Sequence, residues 1–476
     1  MAKIDVGMRD NKKNAFKAGI WYMISSILVK SISIISTPIF TRAMSKADYG
    51  IAATFSTWYS LLFIICSLNV GYSIGRAKID FGEKFEEYIA SLRVLCIIVT
   101  GIIGVVILSF WSFFEKVIGL DLVSVLLLLI YLVSGTAISL EQGRYRFRYL
   151  YKENIGISLY TAVSTVVVSV FLVLIMTDKV YLGKILGTVI PAALLNIWIW
   201  ICSFRRKEVC IRTEYFRYAL AMSLPLIVHS LSVYVLGQSD RLMIKYFCGD
   251  DAVGLYSLVY QYAVLIHLFT TAINQAWNPW FHDTYHAKEY DSICRNVKKL
   301  MLFGCYIGLG CIAVAPEAIA ILGGKEYEEG IVAVAPIALG IVIEFIYTQY
   351  VIIEMHLKKM KYISVATSIA AVTNLVTNAF FIPRFGYLAA AYTTLFCYGL
   401  LLLTHYVVTR FVLKIHLYDD WFTALLLVGT CVAGYGFTAI YSQVIIRYAL
   451  IVVLSLLRLY LNKDIVATKM RKRLRK

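Results

Sequence analysis

Ile331 to Met355 reads IVAVAPIALGIVIEFIYTQYVIIEM, with one charge near its middle, Glu344, and a second at Glu354, close to its end. A run of this length spans about 30 Å of hydrocarbon as a helix, and it shows no alternation of apolar and polar residues, so it does not read as a barrel strand. Similar runs follow one another along the chain. We place them at 15–37, 49–71, 88–110, 119–140, 155–176, 182–203, 216–237, 252–276, 296–321, 331–355, 362–382, 387–410, 420–440 and 442–461. Backbone polar groups in lipid must be satisfied within the structure, which leaves helices as the spanning form. The sequence therefore predicts an all-α integral membrane protein of about fourteen transmembrane helices with no soluble domain. The first run is followed by no small-residue cleavage site and leads through Ile39-Phe40-Thr41-Arg42 into the second, so we read it as the first span.

Composition agrees, with 60% of residues hydrophobic and only 16% charged. The net charge of +17 would suit a nucleic-acid partner, but its distribution points to a membrane instead. If the spans alternate, thirty-five Lys and Arg gather on one side: the N-terminal segment, the breaks holding Arg76 to Arg93, Arg144 to Lys152 and Arg205 to Arg217, and the basic tail among them. Ten fall on the other side, including Arg42, Lys116, Lys184, Arg241 and Lys245, and Lys30 lies within a span. The positive-inside rule then puts both termini in the cytoplasm and sets the tail from Lys469 to Lys476 against anionic headgroups. The ten cysteines are scattered without CxxC spacing and read as apolar filling.

The sequence also repeats itself at about two hundred residues. Ser158 to Ser164 resembles Ser364 to Ala370, Val180 to Gly183 falls on Gly386 to Ala389, and Asp48 to Ile51 falls near Ala252 to Leu255. Six helices per copy is an even number, so both copies share one orientation about an axis normal to the membrane. This predicts two pseudo-symmetric six-helix lobes around a central cavity, residues 1–210 and 211–415, with an accessory helix pair and basic tail at 416–476. Such lobes can rock, and Pro38, Pro191, Pro225, Pro316 and Pro336 lie where a helix could bend.

Three stretches carry a family resemblance. Phe40-Thr41-Arg42-Ala43-Met44-Ser45-Lys46-Ala47-Asp48-Tyr49-Gly50 resembles the signature turn of polysaccharide-biosynthesis flippases of the Wzx (O-antigen) type. That family belongs to the multidrug/oligosaccharidyl-lipid/polysaccharide (MOP) exporter superfamily. Asp240 to Phe247 with Val253-Gly254-Leu255-Tyr256 is similar to the counterpart in the second lobe, and Phe381 to Tyr387 with Ala389 to Thr394 to the turn between the eleventh and twelfth helices. Ala389 stands where members often have glycine.

The resemblance implies a flippase of the bacterial plasma (inner) membrane that carries undecaprenyl-pyrophosphate-linked oligosaccharides, O-antigen or capsule repeat units, between leaflets by alternating access. It also implies working beside a polysaccharide polymerase and chain-length machinery in lipopolysaccharide or capsule assembly. A multidrug exporter of the MATE kind is the alternative, and a membrane-embedded polymerase or glycosyltransferase a more distant one. Neither a cofactor nor a nucleic-acid partner is expected.

A charge at a helix centre costs about 2.5–3.5 kcal/mol on insertion scales, which singles out Lys30 in the first span and Glu344 in the tenth. Lys30 either faces the cavity, where it would meet pyrophosphate, or holds two helices together as an ion pair. Glu344 either pairs with Lys30 as a counter-charge or takes up a proton in coupling. Arg42, Arg241 and Lys245, with Asp240 beside them, fall at the outer ends of the first and seventh spans. There the cations could receive or release phosphate, or Asp240 and Arg241 could fix a turn. Asn374 and Asn378 share one helical face that could bind sugar, along with His267, Gln261 and other polar residues. His282, Asp283 and His286 form the densest titratable cluster, but no third metal ligand, HExxH or Walker motif accompanies them, so we read the chain as neither an enzyme nor a metal protein.

Overall fold

The computed structural model describes residues 2–461 and, within them, the side chains of Trp21 and of residues 24–453. The basic N-terminal side chains from Lys3 to Lys17 and the tail from Lys469 to Lys476 lie outside what is described. The helices are α1 (Ala2–Ala43), α2 (Lys46–Cys66), α3 (Ile74–Phe81), α4 (Phe85–Ser109), α5 (Trp111–Ile118), α6 (Leu122–Phe147), α7 (Tyr151–Ile175), α8 (Val180–Arg205) and α9 (Thr213–Cys248). The second half continues with α10 (Asp250–Ala263), α11 (Leu265–His286), α12 (Tyr290–Ala313), α13 (Ala315–Leu322), α14 (Val334–His356), α15 (Met360–Phe385), α16 (Tyr387–Val407), α17 (Asp420–Ala439) and α18 (Val444–Leu461).

Among the described residues thirteen helical stretches are long and apolar enough to cross a bilayer, and Val444–Val453 adds a shorter one. The chain is therefore all-α and multi-pass, as its apolar runs require. Two details depart from the sequence reading. The eighth span is two helices, α10 and α11, which break at Val264, and it runs on past the predicted end at 276, so that His282, Asp283 and His286 lie in the last turns of α11. There His282 Nδ1 lies 2.8 Å from His356 Nδ1 of α14.

Local chemistry sets the helix boundaries. Ser45 Oγ accepts from the Asp48 backbone N–H at 3.0 Å and caps α2. Gly386, with φ 68°, turns α15 into α16, and in the first copy Lys179, with φ 48°, makes the matching left-handed step before α8.

The repeat is visible in these element starts. Lys46 and Asp250, Trp111 and Ala315, Tyr151 and Met360, and Val180 and Tyr387 open corresponding helices 204 to 209 residues apart. One lobe gathers α1 to α8, with α7 against α8 and α1, and α6 against α8. The other gathers α10 to α16 with most of α9, where α15 packs on α9 and α16, and α14 on α16 and α12. The accessory pair lies on this second lobe. α17 rests on α12 and α14, and in α18 the buried Arg447 donates to the Ala313 carbonyl at 2.9 Å and to Glu317 at 2.8 Å.

α9 belongs to both lobes. Tyr215 and Ala219 near its start are buried in the first-lobe cluster of Val70, Ile74, Phe85, Tyr88 and Leu92. Leu236, nearer its end, is buried with Trp277, Phe281 and Ile346 of the second lobe. Pro225 lies inside the helix between these two stretches.

Candidate functional site

The end of the bundle that bears the Lys- and Arg-rich breaks will be called the basic end, and the opposite one the sparse end. At the sparse end the lobes are joined by contacts that obey the repeat. Arg42, closing α1, donates to the carbonyl of Ile321 in the last turn of α13 at 3.0 Å, and the Thr41 hydroxyl donates to that of Leu322. A cation against the free carbonyls of a helix C-terminus is favourable. Lys245, near the end of α9, has the matching place. Its ammonium bonds Asp250, and its stem lies against Gly119, the residue that follows α5. Both cations, expected to receive or release phosphate, are thus engaged in contacts between or beside the lobes.

Deeper in the seam a polar line runs from one lobe to the other. Tyr49 of α2 donates to Gln261 Oε1 of α10 at 3.0 Å, and Gln261 Nε2 donates to Thr37 Oγ1 of α1 at 2.7 Å. Arg241 is buried beside this node. Its guanidinium lies 4.5 Å from the Tyr260 ring centroid and donates to Gln238, and its charge reaches Tyr49 across the seam. Among the described residues no carboxylate comes within ion-pair distance of it, so it presents a positive charge without a formal counter-ion.

Tyr260 and Tyr398 also feel the charge of Glu344 of α14. Glu344 Oε2 lies 3.4 Å from His267 Nε2, and both side chains keep about a quarter of their surface exposed, 26% and 27%. Lys30 of α1 is exposed, and its charge acts on His267. Glu344 therefore has His267 as its partner, and no described ion pair joins it to Lys30. The arrangement is a cation from each lobe, Lys30 acting on His267 and Arg241 on Tyr260, with Glu344 acting on Tyr260 as well. Intramembrane groups of this kind either hold one another or meet a polar cargo.

Three residues expected to contact substrate or coupling ion lie elsewhere. Asp240, Asn374 and Asn378 are 1%, 0% and 0% exposed. Asp240 accepts from Asn378 at 2.8 Å, from Tyr256 at 2.7 Å and from Thr394 at 2.8 Å, while Asn374 donates to Thr394 at 3.1 Å. Every strong acceptor is used inside the second lobe, so this cluster ties α9, α10, α15 and α16 together and leaves no face for a sugar. Polar residues in lipid find partners on neighbouring helices, and here that outcome holds.

Two charges held within the bundle, Lys184 half-buried and Arg93 buried, escaped the sequence reading. Lys184, counted with the sparse-end breaks, sits one turn inside α8 with its ammonium 3.8 Å from the Tyr49 ring centroid and 5.0 Å from that of Phe40. Its position two residues into the sixth apolar run was the available signal. Arg93, counted with a basic-end break, is 2% exposed in α4. It bonds Glu141 and Ser203, and Glu141 also holds Arg144 at 2.9 Å, which in turn bonds Glu86 at 2.7 Å. The second lobe keeps its own buried pair, His405 Nδ1 at 2.9 Å from Glu354 Oε1. No group of three or more His, Cys, Asp or Glu able to hold a metal occurs among the described residues.

Among the described residues the chain is a multi-pass bundle of paired lobes that meet at a polar seam. The sequence model of the family described as "Polysaccharide biosynthesis protein" matches residues 15–285, more than half of the chain, and the chain belongs to that family. The MatE family model matches residues 225–383. A Haemophilus influenzae protein of the Lsg locus is 24% identical over 298 residues, which cover 60% of this chain and 70% of that one. Among solved structures, the lipid II flippase MurJ in an inward closed conformation aligns over 94% of this chain and 100% of its own, with TM-score 0.75 and 13% identity. An inward-facing MATE multidrug-resistance transporter of the MOP superfamily aligns over 81% and 94%, with TM-score 0.59 and 12% identity. At such identities these two likenesses speak for the fold alone, which is that of MurJ and MATE transporters.

Proposed function

We propose that the chain is a flippase for undecaprenyl-pyrophosphate-linked oligosaccharides, polysaccharide repeat units of the O-antigen or capsule type. Its reading as a non-enzymatic carrier of the bacterial inner membrane, with both termini cytoplasmic, belongs to the same proposal. The observation that supports it most is a pair of cations with no carboxylate at ion-pair distance among the described residues: the exposed Lys30 of one lobe, whose charge acts on His267 of the other, and Arg241 beside Tyr260. A pyrophosphate is a dense anion that must leave water, and preplaced cations lower the cost of that step. The hydroxyl, amide and aromatic groups near them, the buried Tyr49, Tyr260 and Tyr398 with Gln261, would meet a sugar head only once the seam parts. The polyprenyl tail would stay in lipid. The family membership and the MurJ-like fold support this reading, as does the Lsg-locus relative.

The basic end would face the cytoplasm by the positive-inside rule, so the sparse end, shut in this structure, would be the outer one. A polymerase and its chain-length partners would receive the product there.

The test is Lys30→Ala in a strain that depends on this chain for surface polysaccharide. We expect the polysaccharide to disappear at normal membrane abundance, with partial recovery in Lys30→Arg. Full surface polysaccharide in Lys30→Ala removes the phosphate role, and unchanged polysaccharide with lost efflux of a cationic drug would place the chain with the multidrug exporters instead.

A further inference from the structure

Two glycines bring the backbones of the two lobes into direct contact. Gly50 of α2 and Gly254 of α10 occupy corresponding positions in the repeat, each four residues after the start of its helix. A Cβ placed on Gly50 would lie 2.0 Å from the Asp250 carbonyl oxygen and 2.9 Å from the Gly254 nitrogen. A Cβ placed on Gly254 would lie 2.2 Å from the Lys46 carbonyl oxygen and 3.3 Å from the Gly50 nitrogen. The contact is reciprocal. Each glycine faces the carbonyl that opens the helical turn ending at the other glycine. No side chain separates the two backbones, and Cα–H groups point at carbonyls, as at close crossings of membrane helices.

This crossing belongs to the seam and not to the interior of either lobe. On the same sparse end Arg42 and Thr41 reach α13, and beneath it Tyr49 bonds Gln261. Tyr49 is the immediate neighbour of Gly50, so the hydrogen bond and the crossing must be made and broken together. Within a lobe a comparable approach exists at Gly187 of α8, where a Cβ would lie 2.3 Å from the Ser169 Cα of α7. That packing persists however the lobes rock. The Gly50–Gly254 packing can exist only while the sparse end is shut.

We infer that the Gly50–Gly254 crossing, latched by Tyr49 and Gln261, is the outer gate of the transporter, the place where backbone meets backbone to stop the cargo from returning. This rests on the alternating-access reading above. A side chain at either glycine has no room in the shut state and has room once the helices part, so it acts as a ligand of the open state and shifts the population toward it.

The test uses the full chain in intact cells, with Ser33→Cys as reporter. Ser33 is exposed on α1 directly below the latch, where Gln261 approaches it. Labelling by a membrane-impermeant maleimide is compared with the same chain lacking that cysteine. An open state that rises from a minor population of roughly 0.1–10% to the majority raises the outside labelling rate by about tenfold or more. We expect this rise in Gly50→Leu and in Gly254→Leu, with loss of surface polysaccharide and normal membrane abundance, whereas Gly187→Leu should lower abundance without opening the reporter to the outside. Unchanged labelling in both seam variants at normal abundance overturns the gate.

Should the leucine variants fail to accumulate, cysteines at Lys46 and Asp250 joined by a cleavable bifunctional thiol reagent decide the question. A gate held shut stops transport until the linker is cleaved, and undiminished transport with the link in place overturns the proposal. The two readings fail separately. Increased labelling in a chain whose loss leaves surface polysaccharide intact keeps the gate and removes the flippase, and unchanged labelling beside a polysaccharide-negative Lys30→Ala does the reverse.

Discussion

Replacing Glu141 by alanine should destabilise this protein more than replacing Arg93 by methionine, although the two residues form one buried ion pair. The reason lies in how many partners each has. Arg93, 2% exposed, has Glu141 as its one carboxylate at ion-pair distance among the described residues, and it also bonds Ser203. Glu141 holds two guanidiniums, Arg93 and Arg144, the second at 2.9 Å. Loss of Glu141 strands Arg93 as a buried charge, which costs about 3–5 kcal/mol. Loss of Arg93 leaves Glu141 still paired with Arg144, so the cost falls to that of a charged hydrogen bond, about 1.5–3 kcal/mol. Removing both should cost less than Glu141→Ala alone, because no charge is left stranded and Arg144 keeps Glu86 at 2.7 Å. Unfolding of the purified full-length chain by denaturant in detergent, followed for the three variants, reads these differences. Equal costs for the two single variants, or a double variant worse than their sum, would refute the assignment of Glu141 as the shared carboxylate.

Other expectations concern the second lobe, the seam and the accessory pair. Asn378→Leu removes the donor to Asp240 Oδ1 and should cost about 1–3 kcal/mol in the same unfolding experiment, with surface polysaccharide per molecule unchanged; a transport defect at full stability would return Asn378 to the substrate path. Arg241→Ala should weaken retention of a pyrophosphate-bearing lipid by roughly ten- to a hundredfold, the equivalent of about 1.5–3 kcal/mol, while Arg241→Lys keeps part of it; equal binding by wild type and Arg241→Ala in reconstituted vesicles argues against a phosphate contact. The Lys298 ammonium bonded to Asp419, together with the Phe422 backbone N–H, holds the Asp419 carboxyl below its ordinary value. A depressed carboxyl contributes stability above its unfolded pKa, near 4, and loses that contribution as pH falls through the lower folded value. Carbon-13 NMR of labelled aspartate should show the Asp419 titration moving upward in Lys298→Ala, and an unmoved titration would remove the link between α12 and α17.

Hydropathy made the helices legible because lipid leaves the backbone few alternatives, and the even repeat made the paired lobes legible because it fixes orientation. Charge inside a span singled out Lys30 and Glu344, yet it could not name the partner of Glu344. His267 reads in sequence as one polar residue among several, and only the approach of α11 to α14 sets it 3.4 Å from the carboxylate. Asn374 and Asn378 show the opposite failure. Their four-residue spacing correctly put them on one helical face, but periodicity does not say whether that face meets a cavity or a neighbouring helix. Arg93 and Lys184 were misjudged because they stand about two turns and one turn inside their helices, where counting by loop assigns a charge held within the bundle to the surface. Gly50 and Gly254 were visible as a repeated pair, and their closeness to each other emerged only when the two copies were folded face to face.

The way α9 is shared carries a consequence for cutting the molecule in two. A break in the connection at Arg206–Arg212 looks like a clean division, yet residues 1–210 would lack Tyr215 and Ala219 and leave an open slot beside Tyr88 and Leu92. Separately made halves should therefore depend on each other for assembly, the second donating the opening turns of its first helix to complete the wall of the first. The two similar halves are, by this exchange, no longer independent parts.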